Sequence, residues 1–343
     1  MLTAQFTTED GFSTVQIDAA PLKQGEVRIR VEACGVCGSD RQVVKGEAVP
    51  AGTSFPLTMG HEISGTIVEI EEQVGDFQEG DHVAVHPFIF CGTCAACQNN
   101  QPNLCIRQAV IGYHRPGGFA EQVIVPQSQL IKLPDHFSSA AAAVLVDAYA
   151  TPFHAMNLSR VQAGHTVIVI GTGGIGLASL QLADIFSVGH LGAVTRRASG
   201  VKIAEEYGSE AGFTIMDDAR RTARTIRRWS KSGGIDVVID TIASRETVAL
   251  ALDIVRPGGK VTIIGMSDDT VSIPIAKTVR RGIQVITSYG SVIEDVGKLV
   301  ELTAAGKLDP TKLIAGTIAL ENINQAFQDV RMSGRWVIEP NRK

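Results

Sequence analysis

Six cysteines stand in this chain of 343 residues: Cys34, Cys37, Cys91, Cys94, Cys97 and Cys105, all in its first third. Four form one run, Cys91-Gly-Thr-Cys94-Ala-Ala-Cys97, followed after seven residues by Cys105. Thiolates at that spacing on a short lobe suit a tetrahedral zinc site with no open position, so the role expected is structural. A metal there would fix a loop that has little apolar content of its own. The other two lie in Cys34-Gly-Val-Cys37-Gly-Ser39-Asp40, and Gly60-His61-Glu62 follows about two dozen residues after Cys37. One thiol and one imidazole are a thin basis for a second metal, and an isolated His61 reads rather as a satisfied core histidine. Cys34 reads as a small packed residue.

A second kind of chemistry is written at Gly171-Thr172-Gly173-Gly174-Ile175-Gly176. This GxGxxG directly follows the apolar run Val167–Ile170 and opens a helical pattern, the context in which it indicates a dinucleotide. Gly171 permits the tight turn, Gly173 lets the backbone approach a pyrophosphate, and Gly176 allows close helix–strand packing. The helix N-terminus then offers free N–H groups and a favourable dipole to the anion. Some 20 residues on, an NAD site calls for a carboxylate. This chain reads Ala193-Val194-Thr195-Arg196-Arg197 instead. A hydroxyl and two guanidinium groups suit a 2′-phosphate, so NADP(H) is expected over NAD(H). The alternative is a solvated surface pair of arginines.

These groups need elements to carry them. Residues 1–150 hold short apolar runs, Val27–Val31, Ile63–Ile70 and His82–His86, cut by turn signals such as Gly25-Glu26 and Glu79-Gly80-Asp81. That texture predicts a β-rich domain. From residue 151 the pattern alternates. Apolar runs at 167–170, 192–194, 237–239, 261–264 and 283–286 are separated by helical stretches near 174–186, 200–207, 217–231 and 244–255, the last stopped by Pro257-Gly258-Gly259. Alternation of this kind predicts a parallel sheet with helices on both faces. The tail carries a helix at Asp295–Ala305 and the run Trp336-Val337-Ile338.

Taken in order, Gly-Val-Cys37-Gly-Ser39-Asp40, Gly60-His61-Glu62, the four-cysteine lobe and the glycine fingerprint resemble the zinc-dependent medium-chain alcohol dehydrogenase family over nearly the whole chain. The stretch Ile111-Gly-Tyr-His-Arg-Pro-Gly-Gly-Phe-Ala-Glu121 is similar to members of that family too. The resemblance implies an α/β chain with two domains. A chaperonin-10-like, β-rich catalytic domain would cover 1–150 and 287–343, and a doubly wound Rossmann domain 151–286. It implies two zinc ions per chain and a homodimer or homotetramer. It also implies that Cys37 and His61 hold a catalytic zinc, with a third ligand normally supplied by a cysteine just before the cofactor domain. In that place stands Val146-Asp147-Ala148-Tyr149. Asp147 is a competent zinc ligand and matches a thiolate in charge; the other reading of it is a helix N-cap. Water or substrate would take the fourth position, and Glu62 is an alternate ligand when substrate is absent.

By the same resemblance Asp40 orients His61 through its second ring nitrogen, and Ser39 hydrogen-bonds the substrate oxygen and carries its proton outward. The family's relay often continues to a histidine three residues later; this chain has Gln42, which does not titrate near neutral pH. Thr151 and Ile175 should pack near the nicotinamide. Arg335 is expected to reach the pyrophosphate from the tail, unless it is an ordinary exposed arginine.

The function implied is hydride transfer between an alcohol, or its ketone or aldehyde, and the nicotinamide cofactor. Two alternatives stay open: NADPH-dependent reduction of an activated C=C bond, and a non-catalytic dinucleotide-binding protein. His86, Phe88, Tyr113 and His114 are the expected pocket walls, partly polar and suited to a polyol or other functionalised alcohol. The bulk composition fits a small-molecule enzyme. Hydrophobic residues make up 44% and charged residues 20%, and the net charge is −5 with no long like-charge block. That excludes an obvious nucleic-acid or anionic-membrane partner. The basic stretch Arg220–Lys231 reads as a solvated face. Met1–Asp10 lacks an apolar signal core and no apolar run reaches membrane-spanning length, so a cytoplasmic location is expected.

Overall fold

The computed structural model describes residues 1–215, 219–230, 233–328 and 333–342. The chain forms two compact units, Met1–Ala150 with Gly290–Lys343, and Thr151–Tyr289.

The first unit contains β1 (Leu2–Thr7), β2 (Gly11–Gln16), β3 (Glu26–Gly35), β4 (Leu57–Thr58), β5 (Glu62–Ile70), β6 (His82–Val85), β7 (Phe88–Ile89), β8 (Ala109–Val110), β9 (Gln122–Pro126) and β10 (Leu130–Lys132). The second contains β11 (Thr166–Ile170), β12 (His190–Thr195), β13 (Ala211–Thr214), β14 (Ile235–Asp240), β15 (Val255–Ile263) and β16 (Gln284–Thr287). The tail returns two strands to the first unit, β17 (Ile314–Ala319) and β18 (Arg335–Glu339).

In the first unit a sheet runs β10-β6-β5-β3-β18-β17, with β9 also on β3, and β2-β1-β4 form a smaller one. Ile29, Ile63, Ile67, Val85, Phe119 and Ile338 belong to a buried core in it. The register positions the chemistry. β3 pairs antiparallel with β5 so that Gly35 faces Glu62. β18 pairs with the same end of β3, Val337 opposite Gly35. The residues just past β3, just before β5 and at the start of β18 therefore converge at one corner of the sheet.

The second unit is a six-stranded parallel sheet in the order β13-β12-β11-β14-β15-β16. Every residue of β11 is buried, as a central strand covered on both faces requires. The helices Gly174–Ile185, Ala198–Glu206, Ala219–Trp229 and Arg245–Ile254 alternate with the strands. The helix expected over 217–231 is thus Ala219–Trp229, and positions 217, 218 and 231, Lys231 among them, lie outside the described residues. The last helix opens on Ser244, whose hydroxyl accepts the Thr247 N–H, and stops at Ile254. Pro257-Gly258-Gly259, expected as a turn ending that helix, lies instead within β15. There the pairing jumps from Ile235 opposite Val255 to Val237 opposite Lys260. A prolyl residue that cannot donate to the ladder is tolerated where the strand bulges.

Candidate active site

Cys37 heads the helix Gly38–Val44, and its backbone N–H donates to Asp40 Oδ2 at 2.9 Å. The carboxylate of Asp40, wholly buried, turns its other oxygen to His61, with Oδ1 3.2 Å from Nδ1. One side chain thus reaches both the Cys37 backbone and the His61 imidazole. His61 follows Gly60, which has φ of +95°; a Cβ there would lie 2.7 Å from Cys34 Sγ and from the Phe119 ring. Cys34 accordingly has a packing role, filling the space behind that turn. Asp147 lies in a π-helical turn, Leu145–Tyr149, between the helices Ser139–Val144 and Ala150–Leu158. It is not an N-cap: that task falls to Ser138, whose hydroxyl accepts the Ala141 N–H. Widened turns of this kind recur at functional sites because they re-aim a side chain.

These elements bring four donors together. Asp147 Oδ2 is 3.3 Å from Cys37 Sγ and 3.8 Å from His61 Nε2. With a Glu62 oxygen, the donor atoms of all four residues lie within 4.8 Å of one another, and all four residues are buried. Glu62 lies across Gly35, where a Cβ would be 1.9 Å from its Oε2.

Arg335 is not an ordinary exposed arginine. It is 4% accessible and joins this cluster, its Nε donating to Glu62 Oε1 at 2.9 Å. Its Nη2 is 3.4 Å from Cys37 Sγ and 3.7 Å from Asp147 Oδ2. The cause is the register of β18, which brings Arg335 level with Cys37.

The electrostatics identify what such a cluster would hold. Burial pushes the Cys37 thiol up, against the pull of Arg335 and with the help of Asp147. Burial likewise pushes the Glu62 carboxyl up to about 8, although Arg335 opposes it. Burial works against a charged His61, yet Tyr113, Asp40 and Asp147 keep its imidazole well above the usual range. The guanidinium and the imidazole thus face a thiol and the carboxylates of Asp147 and Glu62 in a buried site. A thiolate, an imidazole and a carboxylate are the donor types of catalytic zinc sites, so a dication fits the chemistry of the donor set.

The lobe at 91–105 passes a sharper test. Zn–S bonds of about 2.3 Å in a tetrahedron separate the sulfurs by about 3.8 Å. The observed Sγ separations are 3.4 Å for Cys91–Cys105, 3.5 Å for Cys94–Cys97, 3.8 Å for Cys94–Cys105 and 4.0 Å for Cys91–Cys97. None is a disulfide. The backbone N–H groups of Cys91 and Arg107 donate to Cys105 Sγ at 3.4 and 3.3 Å. Hydrogen bonds from the Thr93 backbone and side chain hold the Cys91 thiol down to about 5, while burial and the neighbouring thiols lift Cys97 to about 11.

In the second unit Gly171 turns the chain at φ +102°, and a Cβ on Gly176 would lie 2.0 Å from the Gly171 carbonyl oxygen. A Cβ on Gly173 would meet nothing within 4 Å. Gly173 is the N-cap of the helix Gly174–Ile185, so this open space faces its free N–H groups. A phosphate group fits such a cradle. Thr195 is buried and lies 3.4 Å from Thr172, hydroxyl to hydroxyl, and Arg196 and Arg197 are exposed beside it. Thr151 is buried and Ile175 half-buried.

Two contacts were beyond the reach of sequence reasoning. The Tyr113 hydroxyl lies 2.8 Å from Ser39 Oγ and 3.2 Å from Asp40 Oδ1. Tyr113, expected as a pocket wall, is thus bonded to the candidate proton carrier, 74 residues away in the chain. The only signal was its place in the glycine-rich stretch 111–121. His114, also expected as a pocket wall, is bonded at both ring nitrogens. Its Nδ1 accepts the Val110 N–H at 3.0 Å and its Nε2 is 3.0 Å from the Ala51 carbonyl, so it ties loops together. His86 is buried with Nε2 3.1 Å from the Ser291 carbonyl, and packs edge-on to Phe88.

A β-rich unit with this donor cluster and a second unit built on a Rossmann-type sheet point to an oxidoreductase of the dehydrogenase class. The alcohol dehydrogenase GroES-like domain family matches residues 23–135, and the zinc-binding dehydrogenase family matches residues 174–305. The chain belongs to the zinc-dependent medium-chain dehydrogenase family. An alcohol dehydrogenase of Geobacillus stearothermophilus is 29% identical over 330 residues, 94% of each chain. Among solved structures, a zinc-binding dehydrogenase from Sinorhizobium meliloti 1021 bound to NADP superposes with a TM-score of 0.90 at 29% identity, over 99% of both chains. The alcohol dehydrogenase of Thermus sp. ATN1 gives 0.91 at 26% identity, also over 99% of both. Among the described residues no helix is long and apolar enough to cross a membrane.

Proposed function

We propose that this chain catalyses reversible hydride transfer between an alcohol and its ketone or aldehyde, with NADP(H) preferred over NAD(H). In this reading Cys37, His61 and Asp147 hold a catalytic zinc, Glu62 stands by as an alternate ligand, and Cys91, Cys94, Cys97 and Cys105 hold a structural zinc. The observation that carries it is the convergence of a thiol, an imidazole and two carboxylates within 4.8 Å in a buried site.

Zinc held there supplies a Lewis acid that lowers the pKa of an alcohol or polarises a carbonyl, and the nicotinamide supplies the hydride acceptor or donor. The remaining work falls to side chains. Asp40 fixes the imidazole of His61 and the backbone of Cys37 together, so the two ligands are pre-aligned. Arg335 and Glu62 balance one another beside the ligands. Ser39 receives the hydroxyl proton at Oγ during oxidation and returns it during reduction. Because Gln42 does not titrate near neutral pH, water takes the proton beyond Ser39.

On the cofactor, Gly171, Gly173, Gly174 and Gly176 form the pyrophosphate turn, Thr151 and Ile175 pack near the nicotinamide, and Thr195, Arg196 and Arg197 receive the 2′-phosphate. The NADP carried by the Sinorhizobium meliloti relative supports the last assignment. We further propose a cytoplasmic homodimer or homotetramer acting on a small molecule. Support comes from the six unpaired cysteines, which suit a reducing compartment. The exposed apolar residues Ile275 and Val279, close in sequence to the edge strand β16, support association.

The test is a panel of alcohols and polyols assayed by nicotinamide absorbance with both coenzymes. Turnover with kcat/KM at least about tenfold higher for NADP⁺, equivalent to one charge-assisted hydrogen bond, is the expected result. Reduction of an activated C=C bond with no turnover of any alcohol or carbonyl would contradict the proposal.

A further inference from the structure

Ser39 carries one proton on a hydroxyl that rotates freely unless something fixes it. The structure shows what fixes it. Tyr113 Oη lies 2.8 Å from Ser39 Oγ and 3.2 Å from Asp40 Oδ1, and its ring centroid is 5.2 Å from that of His61. The phenol is itself held rigidly. Its backbone N–H donates to Val110 at 3.1 Å, and the neighbouring Gly112 N–H donates to Arg115 at 2.8 Å. A Cβ on Gly112 would come within 2.9 Å of the Gly60 carbonyl oxygen, and one on Gly117 within 2.2 Å. The 111–117 loop is thus clamped on the residue that precedes His61.

We propose that Tyr113 is a positioning residue for the reaction: its hydroxyl sets the direction in which Ser39 offers a proton or a lone pair to the reacting oxygen. The inference rests on the alcohol–carbonyl reading above. Tyr113 has one hydroxyl proton and two acceptors in reach. When it donates to Ser39, the Ser39 O–H is left free to point at a carbonyl oxygen, as reduction needs. When it donates to Asp40, its oxygen accepts the Ser39 O–H, and a Ser39 lone pair faces the proton of an alcohol, as oxidation needs. Rotation of two hydroxyls interconverts the settings; in oxidation Ser39 takes the alcohol proton and then turns its original O–H from Tyr113 to water and releases that proton there, in reduction the sequence runs backwards, and Tyr113 keeps its own proton throughout. Gln42, three residues on, does not titrate near neutral pH, so control of Ser39 falls to its immediate partners.

The test is a double-mutant cycle on the zinc-loaded enzyme. Tyr113→Phe keeps the ring on His61 and removes the hydroxyl. The expected result is a fall in kcat of about tenfold, the scale of one lost hydrogen bond to a reacting group, with KM within about twofold of wild type. In the Ser39→Ala background the same change should alter kcat by less than about twofold, because the two hydroxyls act as a unit. Zinc content, and the visible absorption spectrum of the cobalt-substituted enzyme, should be unchanged. If Tyr113→Phe folds poorly, 3-fluorotyrosine at position 113 keeps the shape and alters only the hydroxyl. It should change kcat in the wild-type background and not in Ser39→Ala. Multiplicative losses in an active enzyme, an unchanged kcat, or an altered cobalt spectrum would each overturn this role and leave the alcohol–carbonyl reading standing. Inactivity of the wild-type enzyme on every alcohol and carbonyl would overturn both.

Discussion

The carboxylate of Asp147 reaches both Cys37 and His61. Asp147→Ala should therefore lose one of two zinc ions and about a thousandfold of kcat/KM, roughly 4 kcal/mol of transition-state stabilisation. Asp147→Cys should retain both ions. Metal analysis beside steady-state kinetics reads the two effects separately. Arg196→Ala and Arg197→Ala should each cost about tenfold in kcat/KM for NADP⁺ and little for NAD⁺, since only the former has a 2′-phosphate to receive a guanidinium. Cys37, His61 and the acid at 147 were nameable because each sits in a short motif or in the gap a motif leaves. Arg335 and Tyr113 were named for other roles, since their partners lie 298 and 74 residues away and neither has a spacing that reports a contact. Only the register of β18 and the docking of the 111–117 loop reveal them.

At the scale of elements the glycine fingerprint separates into two jobs. Gly173→Ala meets open space, so the protein should fold with its stability nearly unchanged and lose coenzyme affinity. Gly176→Ala drives a methyl group against the Gly171 carbonyl at 2.0 Å and should cost about 1–3 kcal/mol of stability. Denaturant midpoints and coenzyme titration distinguish the two variants. The start of β11 offers a pH test. Asp236 Oδ2 accepts the Thr166 N–H at 2.8 Å and Oδ1 accepts from Arg256 Nε at 2.6 Å. Burial alone would raise this carboxyl, but those two donors hold it below its ordinary value. A depressed native pKa means the unfolded chain binds the extra proton. The stabilisation is then complete above the unfolded value of about 3.9 and is lost as pH falls through the native one. Asp236→Asn should lower the thermal midpoint at neutral pH, and its gap from wild type should narrow below about pH 4. The strands and helices of this sheet were legible because apolar runs and helical periods alternate cleanly. The bulge at Pro257-Gly258-Gly259 was not, because a proline and two glycines look alike as a turn or as a break in a ladder.

For the whole molecule, the sequence carried the fold class, a β-rich zinc-type unit with a Rossmann unit, since each has its own periodicity and motif. It could not carry the charge balance of the buried cluster, which depends on three distant strands and a π-helical turn meeting at one corner. The central claim is that this cluster holds a cation. Anomalous diffraction at the zinc absorption edge, on crystals of the protein purified without added metal, tests it most directly. Two peaks per chain are predicted, one among Cys91, Cys94, Cys97 and Cys105, the other among Cys37, His61 and Asp147. Density at the four-cysteine lobe alone, with Arg335 still seated against Cys37 in an enzyme that turns over alcohols, would contradict the account.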